Sequence, residues 1–176
     1  TTNALPVGDA RPVWGWVDFC RRMPRDCEAS RGPARDVRLD AATWGVLNEV
    51  NRSINAAIEP LTDMEHWGVA DRWDYPTDGK GDCEDYVLLK RKVLVERGFP
   101  RQALLVTVVI DQNGDGHAIL TVKTDHGDFA LDNMRDEILP WVRTGYRFVK
   151  RQSQEDPNRW VALDDTVASP APVAAH

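Results

Sequence analysis

Around Gly98 and Pro100 the hydrophobic period of this chain changes, and that change constrains its fold more than any other feature. Upstream, apolar residues recur at helical spacing. Asp40 can cap a helix over residues 41–58, where Trp44, Leu47, Ile54 and Ile58 fall near one face and Pro60 lies just beyond. Asp82 can cap a second helix from Cys83 to Arg97, ended by Gly98 and Pro100. Downstream, ALLVTVVI (103–110) is a continuous β-branched apolar run, as a central strand should be. Turn-forming QNGDG separates it from HAILTVK (117–123), and TDHG separates that from DFALDN (128–133). YRFVKRQ (146–152) and RWVALD (159–164) read as a further hairpin. Helices first and antiparallel strands after make an α+β domain, with N-terminal helices packed on an antiparallel sheet.

Residues 1–38 are rich in Pro, Gly and Arg, with one short helix around Val13–Arg22, and residues 62–81 read as a loop. A single domain is expected over 1–165, followed by a disordered tail, 166–176, of small residues and Pro. At 42% hydrophobic residues the chain can build a real core, which excludes a disordered or low-complexity protein. No apolar run reaches the roughly 18 residues needed to span a bilayer. A net charge of −6 argues against nucleic acid as a partner by bulk attraction, and the chain reads as a monomer. It begins at Thr1 with neither Met nor an apolar leader, as a trimmed or export-processed chain would, and this decides nothing by itself.

Of the three cysteines, Cys20 and Cys27 stand seven apart in FCRRMPRDC. They can close a short disulfide loop, which would place the protein outside the cytosol; the alternative is two buried free thiols. Cys83 stands alone at a helix start, after two glycines that allow a sharp bend. There the helix dipole favours the thiolate, the reactive form. A thiolate nucleophile needs a base, and the base needs an orienting group. His117 begins the second strand and Asp132 ends the third. If Lys123 pairs with Asp128, Asp132 faces Ile119 and becomes a same-face diagonal neighbour of His117, within roughly 7–8 Å at Cβ. A one-residue slip would separate them. Cys83, His117 and Asp132 thus have the logic of a cysteine-protease triad, against the plainer reading of a buried Cys and a surface His. The backbone N–H of Cys83 suits an oxyanion hole, and Trp73 or Asn55 is a candidate second donor.

The strings GKGDCEDYVLLKRKVLVERGFP, HAILTV and FALDNM resemble the bacterial transglutaminase-like cysteine proteinase family. The similarity extends through FCRRMPRDC, the Asn-bearing helix, HWGVADRWDYP and the last Trp-containing hairpin, so it covers most of the chain. That family includes periplasmic proteases that release biofilm adhesins. The resemblance implies a papain-like, transglutaminase-like core, Cys83 as nucleophile, His117 as base, Asp132 as orienting acid, and a periplasmic or secreted location.

Asp82, Glu84 and Asp85 flank the thiol and would raise its pKa unless neutralised. Asp82 and Asp85, i and i+3, share a helix face and can chelate a hard cation such as Ca²⁺. Adhesin-releasing members are calcium-dependent through this motif, and the resemblance carries that role to Asp82, Glu84 and Asp85. The alternative is that Asp82 caps the helix and the others complement its dipole. DQNGDG (111–116) mimics an EF-hand start, but position twelve is Val122, so a hairpin turn presenting His117 is expected. The Lys and Arg of VLLKRKVLVER are expected on a solvated face.

The function expected is a cysteine endopeptidase cleaving an exported or surface protein through an acyl-enzyme. The alternatives are a transglutaminase or other amide acyl transferase, and a catalytically idle calcium- or protein-binding domain on the same fold.

Overall fold

The computed structural model describes residues 3–164, so the expected tail at 166–176 lies outside the described residues. Its elements run β1 (Pro6–Ala10), α1 (Trp14–Arg22), α2 (Ala41–Ala57), β2 (Glu59–Pro60), α3 (Asp63–Trp67), β3 (Lys80–Gly81) and α4 (Cys83–Glu96). Strands follow as β4 (Leu104–Ile110), β5 (Gly116–Thr124), β6 (Gly127–Asp132), β7 (Arg135–Pro140), β8 (Arg147–Gln152) and β9 (Trp160–Leu163). Seven of the strands form one antiparallel sheet in the order β1-β9-β8-β4-β5-β6-β7, and β2 pairs with β3 in a small parallel ribbon. The α+β expectation therefore holds, and the period change falls where helices give way to the sheet.

The apolar run of β4 and β5 is explained by burial on both faces. On the helix side, Leu104, Val106, Ala118, Leu120 and Val122 join Leu47, Val50, Ile54, Leu88 and Leu94 in the larger core. On the opposite face, Val109 and Ile119 pack with Trp141 and Phe148. Strands with no solvated face show no alternation, only continuous hydrophobicity. Helices α2 and α4 form this inner layer, α4 packing on β5 and on α2. Asp40 caps α2 through Thr43 N–H, 2.9 Å away. Gly98, at φ 94°, lets Phe99 N–H return to Leu94 O at 3.0 Å and ends α4.

Three segments differ from the sequence expectation. Pro6–Ala10, read as irregular, is an edge strand whose residues are almost all exposed, so it carries no apolar pattern to read. Arg135–Pro140 is the other edge strand, with a polar first half. The 62–81 loop contains α3, a short helix capped by Thr62. A further correction concerns α4. Lys90 and Arg91 are only 1% and 3% exposed, so they do not form the solvated face expected of them. Arg91 is accommodated by donating to Asp26 O at 2.9 Å and lying over the Trp16 ring. Lys92 alone of the three basic neighbours is exposed.

Cys20, in α1, and Cys27 are disulfide-bonded with a Cα–Cα distance of 5.7 Å. Asn158, in the β8–β9 turn, accepts from Trp16 Nε1 and donates to Cys27 O at 2.9 Å, which ties the clipped segment to the sheet. Closing so short a loop stabilises by about 2–3 kcal/mol in the chain-entropy treatment. Intact mass of the unreduced protein should accordingly lie about 2 Da below the reduced form. The double variant Cys20→Ser/Cys27→Ser should melt several degrees lower; three titratable thiols in the native, unreduced protein would contradict the bond.

Candidate active site

Cys83 is the first residue of α4, half-buried, and the one free thiol of the three cysteines. Helix α4 packs on β5, and the backbone N–H of Ala118, the residue after His117, is the one neighbour that favours the Cys83 thiolate. The expected register is the observed one: Lys123 pairs with Asp128 and Leu120 with Leu131. His117 and Asp132 therefore share a face, and His117 Nε2 lies 2.8 Å from Asp132 Oδ1. The DQNGDG segment is the turn that launches β5, with Asp111 Oδ1 accepting from Asn113 and Asp115 N–H at 2.9 Å.

Asp132 is held from several directions. Oδ1 also accepts from Met134 N–H at 3.0 Å, and Oδ2 accepts from the Tyr146 hydroxyl at 2.6 Å. Tyr146 packs edge-on against the His117 ring, 5.5 Å between centroids. Burial pushes the Asp132 carboxyl up, but the bonds from His117, Tyr146 and Met134 outweigh it and hold the group below the usual carboxylate range. Tyr146 was not among the residues singled out in the sequence. It reaches the site across the β7–β8 connection, and nothing in its local string marks it.

The two candidate second donors are engaged elsewhere. Asn55 Nδ2 donates to Asp132 O at 3.0 Å, Arg135 O at 3.2 Å and the Asp136 carboxylate at 3.1 Å. Trp73 is buried against Gly15, and its Nε1 donates to Asp71 Oδ1. Trp73 is thus core, and Asn55 braces the turn that carries Asp132.

The carboxylates around the thiol form a larger cluster than the sequence motif suggested. Oxygens of Asp63, Asp82 and Asp85 lie within 4.8 Å of one another, as do those of Asp63, Asp71 and Glu84. Asp63 arrives on α3 and Asp71 on the loop after it, from an acid-bearing stretch that the sequence left as plain loop. Asp85 is the anchor: its two oxygens accept from Asp74 N–H at 2.9 Å and Asp82 N–H at 3.1 Å. By contrast Asp63 Oδ1, Asp82 Oδ1 and Glu84 Oε2 are buried with no hydrogen-bond partner among the described residues. Burial, with Glu84, Asp85 and Asp63 adding to it, pushes the Asp82 carboxyl far up; burial likewise raises Asp85 and Asp71. Burial also raises the Cys83 thiol, and the charges of Glu84 and Asp82 add to this, against the single favourable N–H of Ala118. Hard oxygen donors, several of them buried without a hydrogen-bond partner among the described residues, fit a calcium-sized cation.

A helix-start cysteine beside a histidine–carboxylate pair on an antiparallel sheet agrees with a family match over residues 7–168, to the bacterial transglutaminase-like cysteine proteinases. The chain belongs to that family. It is a cysteine peptidase with a transglutaminase-like fold. Among solved structures it is similar to Legionella pneumophila LapG in its calcium-bound form, at 26% identity over 71% of each chain and a TM-score of 0.58. An EGTA-treated LapG structure matches at 26% identity, over 73% of this chain and 74% of that one, with a TM-score of 0.57. No curated protein sequence matches the chain.

In this family member the approach to the cysteine leaves no spare room. A Cβ on Gly81 would lie 2.8 Å from the Asp85 side chain. Gly81→Ala should therefore displace the anchor carboxylate and cost about 1–3 kcal/mol, as overpacking does. Thermal melts should register the loss, and a Gly8→Ala control, which meets open space, should melt as the parent does.

Proposed function

We propose that this peptidase cuts an exported or cell-surface protein, with Cys83 as nucleophile, His117 as base and Asp132 as orienting acid. The observation that carries the reading is the His117 Nε2–Asp132 Oδ1 bond, made from the strand β5 on which the helix that starts at Cys83 packs. With Nε2 held by Asp132, Nδ1 is the nitrogen left to take the thiol proton. The thiolate then attacks the substrate carbonyl, and the N–H of Cys83, at the helix start, faces the developing oxyanion. As the C–N bond breaks, His117 returns the proton to the leaving amine. Water, deprotonated by His117, hydrolyses the thioester and frees the thiol. The bonded Cys20–Cys27 pair supports export, since such a pair stays reduced in most cytosols.

Asp82, Glu84 and Asp85, joined by Asp63 and Asp71, are proposed to hold Ca²⁺, with Asp85 also bracing the backbone before Cys83. The buried oxygens of Asp63, Asp82 and Glu84 that lack a hydrogen-bond partner among the described residues support this, as does the existence of calcium-bound LapG. A bound dication supplies the positive field that cancels the carboxylates and lowers the thiol pKa.

The variants separate the roles. Cys83→Ala should fold normally and lose hydrolysis by on the order of 10³-fold or more; His117→Ala should do nearly as much, and Asp132→Asn less. Full activity in Cys83→Ala would end the proposal. A casein-type substrate offered with a labelled amine should yield fragments; incorporated label instead would make the chain an acyl transferase, and neither product would favour an idle binding domain.

Calcium makes a second prediction, with a definite sign. Without the cation the thiol pKa is raised, so the thiolate is lost at neutral pH and recovered only on the alkaline side. A chelator should thus lower activity most at acid and neutral pH and reduce thermal stability as well. Added Ca²⁺, on the order of 10⁻⁴ M, should restore both. Asp82→Ala and Asp63→Ala should resemble the chelated protein, whereas chelator-insensitive activity with no calorimetric heat would return the cluster to helix capping.

A further inference from the structure

We infer that the cleft which His117 shares with the β6–β7 turn seats the substrate residues after the scissile bond, and that Arg135 selects there for an acidic side chain. The inference rests on the triad reading above, in which His117 gives a proton to the leaving amine, so the chain beyond that amine starts at His117. A cleft of about 360 Å³ opens at this point. His117 lines it, whereas neither Cys83 nor any other residue of α4 does, which assigns it to the leaving side of the substrate. Its volume lies within the roughly 300–1,000 Å³ of ordinary ligand sites.

The walls are held before a peptide arrives. The β4–β5 turn is one wall, where Asp111 Oδ1 accepts from Asn113 and Asp115 N–H at 2.9 Å. The β6–β7 turn is the second, pinned by Met134 N–H on Asp132 Oδ1 at 3.0 Å. The third is the connection to β8, where Thr144 Oγ1 donates to Trp141 O at 2.8 Å and accepts from Tyr146 N–H at 3.2 Å. Gln112 closes the first wall onto the third, its Nε2 lying 2.8 Å from where a Cβ on Gly145 would stand.

Two side chains of the second wall are left uncommitted. Met134 is 71% exposed, a large apolar group standing in solvent beside the catalytic pair. Arg135, exposed as well, is the register partner of Asp132 across the turn. No ion pair or hydrogen bond reaches its guanidinium among the described residues. Asp111 brings the opposite charge to the cleft, but its Oδ1 already serves its own turn. The guanidinium is therefore the charge left for a ligand, and its planar fork matches a carboxylate better than any neutral peptide group. The structural part of Arg135 is its backbone: the carbonyl accepts from Asn51 and Asn55 Nδ2 at 3.4 and 3.2 Å, and loss of the side chain leaves that grip in place.

The test is a cleavage-site profile of the full chain with calcium present. A chymotryptic peptide library from a bacterial lysate is the substrate, and the new termini are read by mass spectrometry. Asp and Glu should be enriched at one of the first few positions after the scissile bond. Arg135→Ala should erase that enrichment and keep the preference before the bond, and Arg135→Glu should replace it with Lys and Arg. For the best acidic peptide, changing its acid to the amide should lower kcat/KM about tenfold in the parent, the scale of a hydrogen bond to a charged group, and by much less in Arg135→Ala. A purely structural role would lower both peptides together and leave their ratio alone. Cleavage without an acid preference, a preference that survives Arg135→Ala, or cuts confined to peptide C-termini whatever the side chains would each overturn the inference and leave the triad standing. A parent that cuts neither the library nor casein would overturn the peptidase reading and this one with it. Should the Arg135 variants fail to fold, the parent's acid-over-amide ratio and its decline with added salt still decide.

Discussion

The grip of the Asp85 carboxylate on two backbone N–H groups underlies the rest of the site. One belongs to Asp74, in the loop after α3, and the other to Asp82, immediately before the cysteine. The first turn of α4 is thereby fixed to a loop residue eleven positions earlier, and the backbone that carries Cys83 is held with it. Gly81 is the complement of that grip, since only a residue without Cβ lets the chain pass so close. The β2–β3 ribbon adds Leu61 N–H to Gly81 O at 2.8 Å, so the approach to Cys83 is held from both sides. For the nucleophile role proposed for Cys83 such preorganisation matters, because a misplacement of about 1 Å is costly to reactivity.

Much of the architecture was legible because it rests on local signals. Asp40 and Asp82 mark helix starts, Gly98 marks an end, and the β-branched runs of β4 and β5 are those of strands with two buried faces. The His117–Asp132 pairing was legible for a different reason: a hairpin has a period of two, so one register assumption settles which residues share a face. Lys123 opposite Asp128 was that assumption, and it holds. The edge strands β1 and β7 were not legible, because a strand with little buried surface leaves no hydrophobic pattern to read.

The site's remaining parts were hidden because they are tertiary. Asp63 and Asp71 lie far before Asp82 in the chain and become its neighbours only when α3 folds back. Tyr146 comes from beyond β7. The burial of Lys90 and Arg91 inverts the ordinary expectation for basic residues on a helix, and each is tolerated through particular neighbours: Trp16 and Asp26 O for Arg91, and the charges of Asp132 and Asp136 for Lys90. No helix among the described residues is long and apolar enough to cross a membrane.

The hydroxyl that meets Asp132 has a consequence of its own. A phenol can give a hydrogen bond or receive one, whereas a backbone N–H can only give. Met134 N–H and the His117 ring meet Oδ1, and among the described residues Tyr146 alone meets Oδ2. An amide in this seat could keep its oxygen under the first two and turn its NH₂ toward the tyrosine, whose hydroxyl would then reverse direction. As built, with every bond given to it, the seat favours the anion, yet its shape would also take a planar two-headed neutral group. Holding the imidazole in one orientation and balancing its charge are thus separate demands on position 132: the first needs only an acceptor oxygen, the second needs the carboxylate.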